Sequence, residues 1–221
     1  MARILVINPN SSKVMTQSMA QCLEGIADKT THQIHCIELA KSPPGINTDE
    51  DAKAVVPHIL EAVEQEQADA IVIGCFSDPG IQAVRQQTSA PVFGIAQCAY
   101  LTALGLGQRF GILSMGPSSI GRHLRYLQEL KLERRMAGDR SMNLTVEDSL
   151  GRDVFEKVSH TAQALIAEDK ADILILGCAG LGNYRAQLQK EFGVPVIDPV
   201  QAGAQWAINA LDLSYGGNAH A

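Results

Sequence analysis

The chain has 221 residues, a net charge of −6 and no basic tract of five residues, which excludes a dedicated nucleic-acid binder. No apolar run approaches the ~18 residues that read as a membrane span. Charged residues make up only 19% of the chain, a low share that fits surface buried in a homo-oligomer.

The apolar start, Ile4–Ile7, is too short for a signal peptide and reads as the first strand of a cytoplasmic protein. Further short, β-branched runs follow at Ile34–Leu39, Ala70–Gly74 and Val92–Ile95, the pattern of strands buried on both faces of a parallel sheet. Between them, helical spacing runs over Ser12–Ile26, Asp49–Gln65 and Ile81–Gln86. The second half repeats the order. Strands are expected at Phe110–Leu113, near Met142–Thr145, at Ile173–Leu176 and at Val194–Ile197. Helices are expected at Ser118–Leu130, Asp153–Glu168, Tyr184–Glu191 and Val200–Leu211, and a frayed tail from Ser214.

The order repeats in letters too. Ala-Asp-Ala-Ile-Val-Ile-Gly-Cys at 68–75 matches Ala-Asp-Ile-Leu-Ile-Leu-Gly-Cys at 171–178. Residues 90–97 match 194–201, and 4–12 match 111–119. Three matches in one order at nearly one offset predict two similar halves, 1–106 and 107–221. The expected fold is α/β: two pseudo-symmetric flavodoxin-like halves with parallel sheets and right-handed crossovers.

Ligands in such folds sit beyond the carboxyl ends of the strands. That rule selects the loops Asn8–Ser12, Gly116–Ser119, Cys75–Gly80 and Cys178–Asn183. If the halves pack about a pseudo-twofold axis, Cys75 and Cys178 face each other across one cleft. Asp78 and Asn183 are placed to cap the following helices, putting each thiol ahead of a helix N-terminus, where a thiolate is favoured. A single buried cysteine is more often plain core. A pair at equivalent repeat positions, each opening a glycine-containing turn, points to function. Asn10, Ser11 and Ser118 can cap helices, contact a ligand, or do both.

Cys22, Cys36 and Cys98 lack repeat counterparts and read as structural. Five cysteines without C-x-x-C support neither a disulfide framework nor a zinc ribbon. The six histidines show no metal-binding spacing, and His123, between Arg122 and Arg125, reads as solvated. Lys131–Arg135 reads as a solvated helix end. No dinucleotide, Walker A or G-x-S-x-G motif occurs.

Ile-Leu-Val-Ile-Asn-Pro-Asn-Ser-Ser, Gly-Cys-Phe-Ser-Asp-Pro-Gly and Gly-Cys-Ala-Gly-Leu together resemble the aspartate/glutamate/hydantoin racemase superfamily, and within it the hydantoin and allantoin racemase branch. The resemblance runs over residues 3 to 211. It implies a racemase without cofactor or metal, in which Cys75 and Cys178 flank a chiral carbon, one removing its proton and the other returning one to the opposite face. It also implies substrate contacts by Asn10, Ser11, Phe76, Ser77, Ser118, Ser119, Ala179 and Gly180. Free amino-acid racemases of the superfamily carry Asn-Thr after the first cysteine and Thr-Glu after the second. Phe76-Ser77 and Ala179-Gly180 stand there here, which points to a cyclic ureide. Related decarboxylases keep one cysteine, whereas maleate cis–trans isomerases keep both. A racemase or isomerase of another small carboxylate therefore stays open, as does a non-catalytic small-molecule binding protein. A reversible Cys75–Cys178 disulfide is a weaker alternative.

Overall fold

The computed structural model describes residues 1–151 and 154–215. The strands are β1 (Arg3–Asn8), β2 (Gln33–Glu38), β3 (Ala70–Ile73), β4 (Val92–Gly94), β5 (Phe110–Ser114), β6 (Met136–Ser141), β7 (Ile173–Leu176) and β8 (Val196–Ile197). They form two four-stranded parallel sheets, ordered β2-β1-β3-β4 and β6-β5-β7-β8. The expected α/β architecture of parallel sheets is therefore present. Residues 216–221, which hold most of the expected frayed tail, lie outside the described residues, as does Asp153, the first residue of one expected helix.

The helices are α1 (Lys13–Ala27), α2 (Asp49–Ala54), α3 (Val56–Glu66), α4 (Ile81–Gln87), α5 (Ile95–Leu106), α6 (Pro117–Glu129), α7 (Val154–Ala167), α8 (Arg185–Phe192) and α9 (Pro199–Asp212). The single helix expected over Asp49–Gln65 is two, parting at Val55. Pro57 has no N–H to bond the carbonyl of Lys53, so a new helix starts with the proline in its first turn. The strand expected near Met142–Thr145 lies earlier, as β6. Lys131–Arg135 is not a helix end: α6 stops at Glu129, Glu133–Arg135 forms a 3-10 turn, and Arg135 donates to the Gln108 and Gly107 carbonyls.

The central strands β1, β3, β5 and β7 are almost wholly buried. Two helices tie the sheets together. α5 leaves the first sheet and packs Ala96, Ala99, Tyr100 and Ala103 with Phe110, Ile112, Ile173 and Ile175 of the second. α9 follows the second sheet and packs on the first, where Gly203 lies against Val72 and Ile95. A continuous core therefore runs from Ile4 and Val72 through Val200 and Ala204 to Leu174 and Leu176.

Asp78 and Asn183 do not cap the helices expected of them. Asp78 does not cap α4, whose N-cap is Gly80. With φ +45°, Asp78 instead turns its carboxylate to the first turn of α5, accepting from the backbone N–H groups of Ala96 (2.9 Å) and Gln97 (2.8 Å). Tyr126 Oη donates to the same carboxylate at 3.0 Å. Gly94 makes the room, since a Cβ there would overlap the Asp78 carboxylate. α9 is capped by its own N-cap residue, Asp198, which accepts from Val200 N at 2.8 Å. Here Gly182 leaves the space beside the carboxylate. Burial pushes the carboxyls of Asp78 and Asp198 up to about 6. Asn183 is likewise no cap: it lies inside a 3-10 turn, Ala179–Tyr184, and its side chain meets Ser18 and Cys22.

Candidate active site

β3 and β7 end in the same way. Gly74 N donates to Ile7 O at 2.7 Å, and Gly177 N donates to Leu113 O at 2.9 Å. A Cβ at either glycine would lie within 2.8 Å of that carbonyl oxygen, so only glycine permits the approach. The next residue in each case is the cysteine. Both thiols line one cavity of about 400 Å³.

Cys75 Sγ lies 3.4 Å from Ser77 Oγ. Cys178 is the N-cap of the Ala179–Tyr184 turn, and its Sγ accepts from Gly180 N at 3.5 Å. Burial is the largest influence on both and pushes both thiols up. Cys178 rises to about 11, opposed by the Gly180 N–H and raised further by negative charge on Cys75. Cys75 is raised by burial, against the hydrogen bond from Ser77 and the positive charge of Arg122. The expectation of thiols acidified by α-helix N-termini thus gives way to burial. The helix after Cys75 begins only at Ile81, and one N–H serves Cys178. A negative charge on one sulfur disfavours a second, so the pair suits one thiolate beside one thiol.

Of the other residues singled out in the sequence, Asn10, Phe76, Ser77, Ser118, Ser119 and Ala179 line the cavity. Ser11 and Gly180 do not. Ser11 N donates to Pro43 O, and Gly180 lies behind Cys178 against Ser149 and Met15. Asn10 Oδ1 accepts from Asn8 Nδ2 (2.8 Å) and Ser12 N (2.9 Å), while Ser12, not Asn10 or Ser11, caps α1. Among the described residues the Asn10 amide nitrogen has no partner, which makes it a donor. Ser118 does not cap α6 either; its Oγ donates to Asn47 O at 3.0 Å. Asn47 Oδ1 accepts from Val146 N at 3.1 Å, so Asn47 pins the segment Asn143–Asp148 that completes the wall.

Besides its first turn, α6 brings Arg122 and His123 to the wall. Arg122 donates to Asp49 Oδ1 at 3.0 Å and to Ser119 Oγ at 3.4 Å, and its hydrogen bond holds Asp49 below the usual carboxylate range. His123 is 2% exposed, against the solvated position expected for it. Its Nδ1 lies 2.9 Å from Asp139 Oδ2 and 3.1 Å from Ser114 Oγ, and its ring meets Phe76 edge to face at 5.0 Å. Its charged neighbours both turn to Asp49. The missed signal was the i, i+4 spacing of Ser119, His123 and Leu127, the buried stripe of α6.

A family model described as Asp/Glu/Hydantoin racemase matches residues 4–207. A hydantoin racemase of Paenarthrobacter aurescens is 36% identical, over 96% of this chain and 92% of the relative. A hydantoin racemase of Pseudomonas sp. (strain NS671) is 32% identical, over 96% and 86%. The solved allantoin racemase from Klebsiella pneumoniae superposes with a TM-score of 0.95 at 28% identity, covering all of this chain and 91% of that one. By sequence and by fold, the chain belongs to the Asp/Glu/hydantoin racemase family.

Proposed function

We propose that this protein is a cofactor-independent racemase of a 5-substituted hydantoin or of allantoin, with Cys75 and Cys178 as its acid–base pair. The observation that carries the reading is the meeting of these two thiols, from equivalent strand ends, in one cavity. One cysteine, as thiolate, removes the proton from the stereogenic carbon, and the electron pair moves into the adjacent carbonyl as an enolate. The opposite cysteine, as thiol, delivers its proton to the other face. The carbon is inverted and the two sulfurs have exchanged protonation states; this form takes the opposite enantiomer, and proton exchange with solvent resets the pair. The enolate oxygen needs donors already in place. The Asn10 amide and the backbone N–H groups of the loops after β3 and β7 supply this role in the proposal.

A neutral cyclic ureide suits this cavity better than a dicarboxylate. Arg122 is the one Lys or Arg lining it among the described residues, and its charge is already committed to Asp49. Phe76 adds an aromatic lining, and Ser77, Ser118 and Ser119 offer hydroxyls. On the same reading, segments 1–106 and 107–221 form the two walls of the cleft, and the enzyme works in the cytoplasm as a homo-oligomer. The relatives named as hydantoin and allantoin racemases support the substrate class.

Single enantiomers of 5-substituted hydantoins and of allantoin, incubated in D₂O and followed by polarimetry and proton NMR, test this. Optical rotation should decay as deuterium enters the chiral carbon. Cys75→Ser and Cys178→Ser should each slow racemisation by ~10²–10⁴-fold, the range for a lost general acid or base. Absence of exchange on every ureide, or racemisation in either variant at the wild-type rate, would sink the reading.

A further inference from the structure

Among the described residues, the two-cysteine chemistry leaves one buried ionisable side chain on the cavity wall unused, His123. Its surroundings fix its orientation. Asp139, whose side chain is 1% exposed, receives Ser114 Oγ on Oδ1 and His123 Nδ1 on Oδ2. An ionised carboxylate only accepts, so Nδ1 must carry the hydrogen, and in the neutral ring Nε2 is then a lone pair. Nε2 has no hydrogen-bond partner among the described residues. The side chain itself is only 3% exposed and Phe76 packs edge-on against it, so the ring has little freedom to turn elsewhere. His123 lines the cavity, so a group bound there can meet Nε2.

We infer that His123, as the neutral Nδ1–H tautomer, contacts the substrate through Nε2, accepting a hydrogen bond from a ring N–H of the cyclic ureide, and so selects substrates with a free N–H at that position. The inference rests on the racemase reading and adds a specificity-determining contact to it. A carboxylate oxygen brought to the same place would set lone pair against lone pair, and an N-methyl group would meet the nitrogen with no proton to share. Asp139 and Ser114 are positioning residues that hold the ring in this tautomer.

The test crosses enzyme variants with substrate methylation. Wild type, His123→Asn and His123→Gln are assayed on one enantiopure 5-substituted hydantoin and on its two singly N-methylated forms. Asparagine keeps an amide N–H where Nδ1 was, to meet Asp139, and removes the distal group. Glutamine restores an acceptor near the Nε2 position. On the parent hydantoin, His123→Asn should lower kcat/KM about tenfold, the worth of one good hydrogen bond. The loss should fall mainly on KM, and His123→Gln should recover part of it. In wild type, methylating one of the two ring nitrogens should cost a similar factor, and that penalty should vanish in His123→Asn.

Penalties that simply multiply, or a His123→Asn enzyme equal to wild type on the parent, would overturn the assignment. If His123→Asn does not fold, wild type decides: equal turnover of the parent and both N-methyl forms overturns it as well. A wild-type enzyme inert on every ureide overturns the racemase reading and takes this contact with it. An active wild type with unselective methylation overturns the contact alone.

Discussion

At Cys178 two influences oppose each other. Burial strips water from the sulfur and pushes the thiol up to about 11, while the Gly180 N–H pulls the other way and loses. In the ligand-free protein the thiolate is therefore scarcer at neutral pH than at an ordinary exposed cysteine. Alkylation consumes thiolate. Its rate at Cys178, followed peptide by peptide in a mass spectrometer, should still be climbing above pH 9 and level off near 11. A plateau by pH 8 would show that the local N–H outweighs burial. Cys75 and Cys178 were legible in the sequence because the repeat set two otherwise ordinary residues in register. His123 was not, because its charged neighbours advertise a solvated helix face while the ring itself lies on the buried stripe. Asp78 was misplaced for a related reason. The motif Asp-Pro-Gly reads locally as a helix start, yet the carboxylate serves a helix 17 residues further on.

Among elements, α1 carries the loop Asn8–Ser12 into the cavity wall, and Ser12 holds its first turn by accepting from Met15 N at 3.3 Å. Ser12→Ala should lower unfolding free energy by ~1 kcal/mol. In a urea titration the midpoint should shift with no change in slope. Racemisation should fall little, because Asn10 keeps its bond from the Ser12 backbone N–H. The central strands declared themselves through unbroken apolar runs, and those runs were read correctly. β6 did not. It is an edge strand whose burial is intermediate throughout, and it reads Met-Ala-Gly-Asp-Arg-Ser. Its strand alternation is written in charges: Asp139 turns in to His123, and Arg140 turns out to Glu168 and Asp169. A search for apolar runs passes over such a strand and settles on the next apolar residues, Met142 and Leu144.

Across the molecule, letter repeats announced two sheets of matching order but not the crossing of α5 and α9, each packed on the sheet it does not follow. Contacts between segments distant in sequence leave no local pattern to read. The crossing also sets the stakes at the helix starts. Gly94→Asp should be strongly destabilising, since it drives a second carboxylate into the place held by Asp78. Asp78→Gly should cost about 1–2 kcal/mol through loss of the α5 cap, and it also leaves Tyr126 without its acceptor. Combined, the two changes put on α5 the arrangement that α9 already uses, a carboxylate on the residue before the helix with a glycine facing it. The double variant should unfold at a higher denaturant concentration than Gly94→Asp. Strict additivity of the two losses would contradict this.

That reciprocity imposes a direction on inheritance. A gene moving between the two arrangements must first give up its old carboxylate and live briefly with an uncapped helix, because acquiring the new one first meets an occupied space. Each letter thus depends on the history of the other. Two segments descended from one ancestor can keep the same shape while trading which position carries the charge, and their likeness then outlasts any column-by-column resemblance of their sequences.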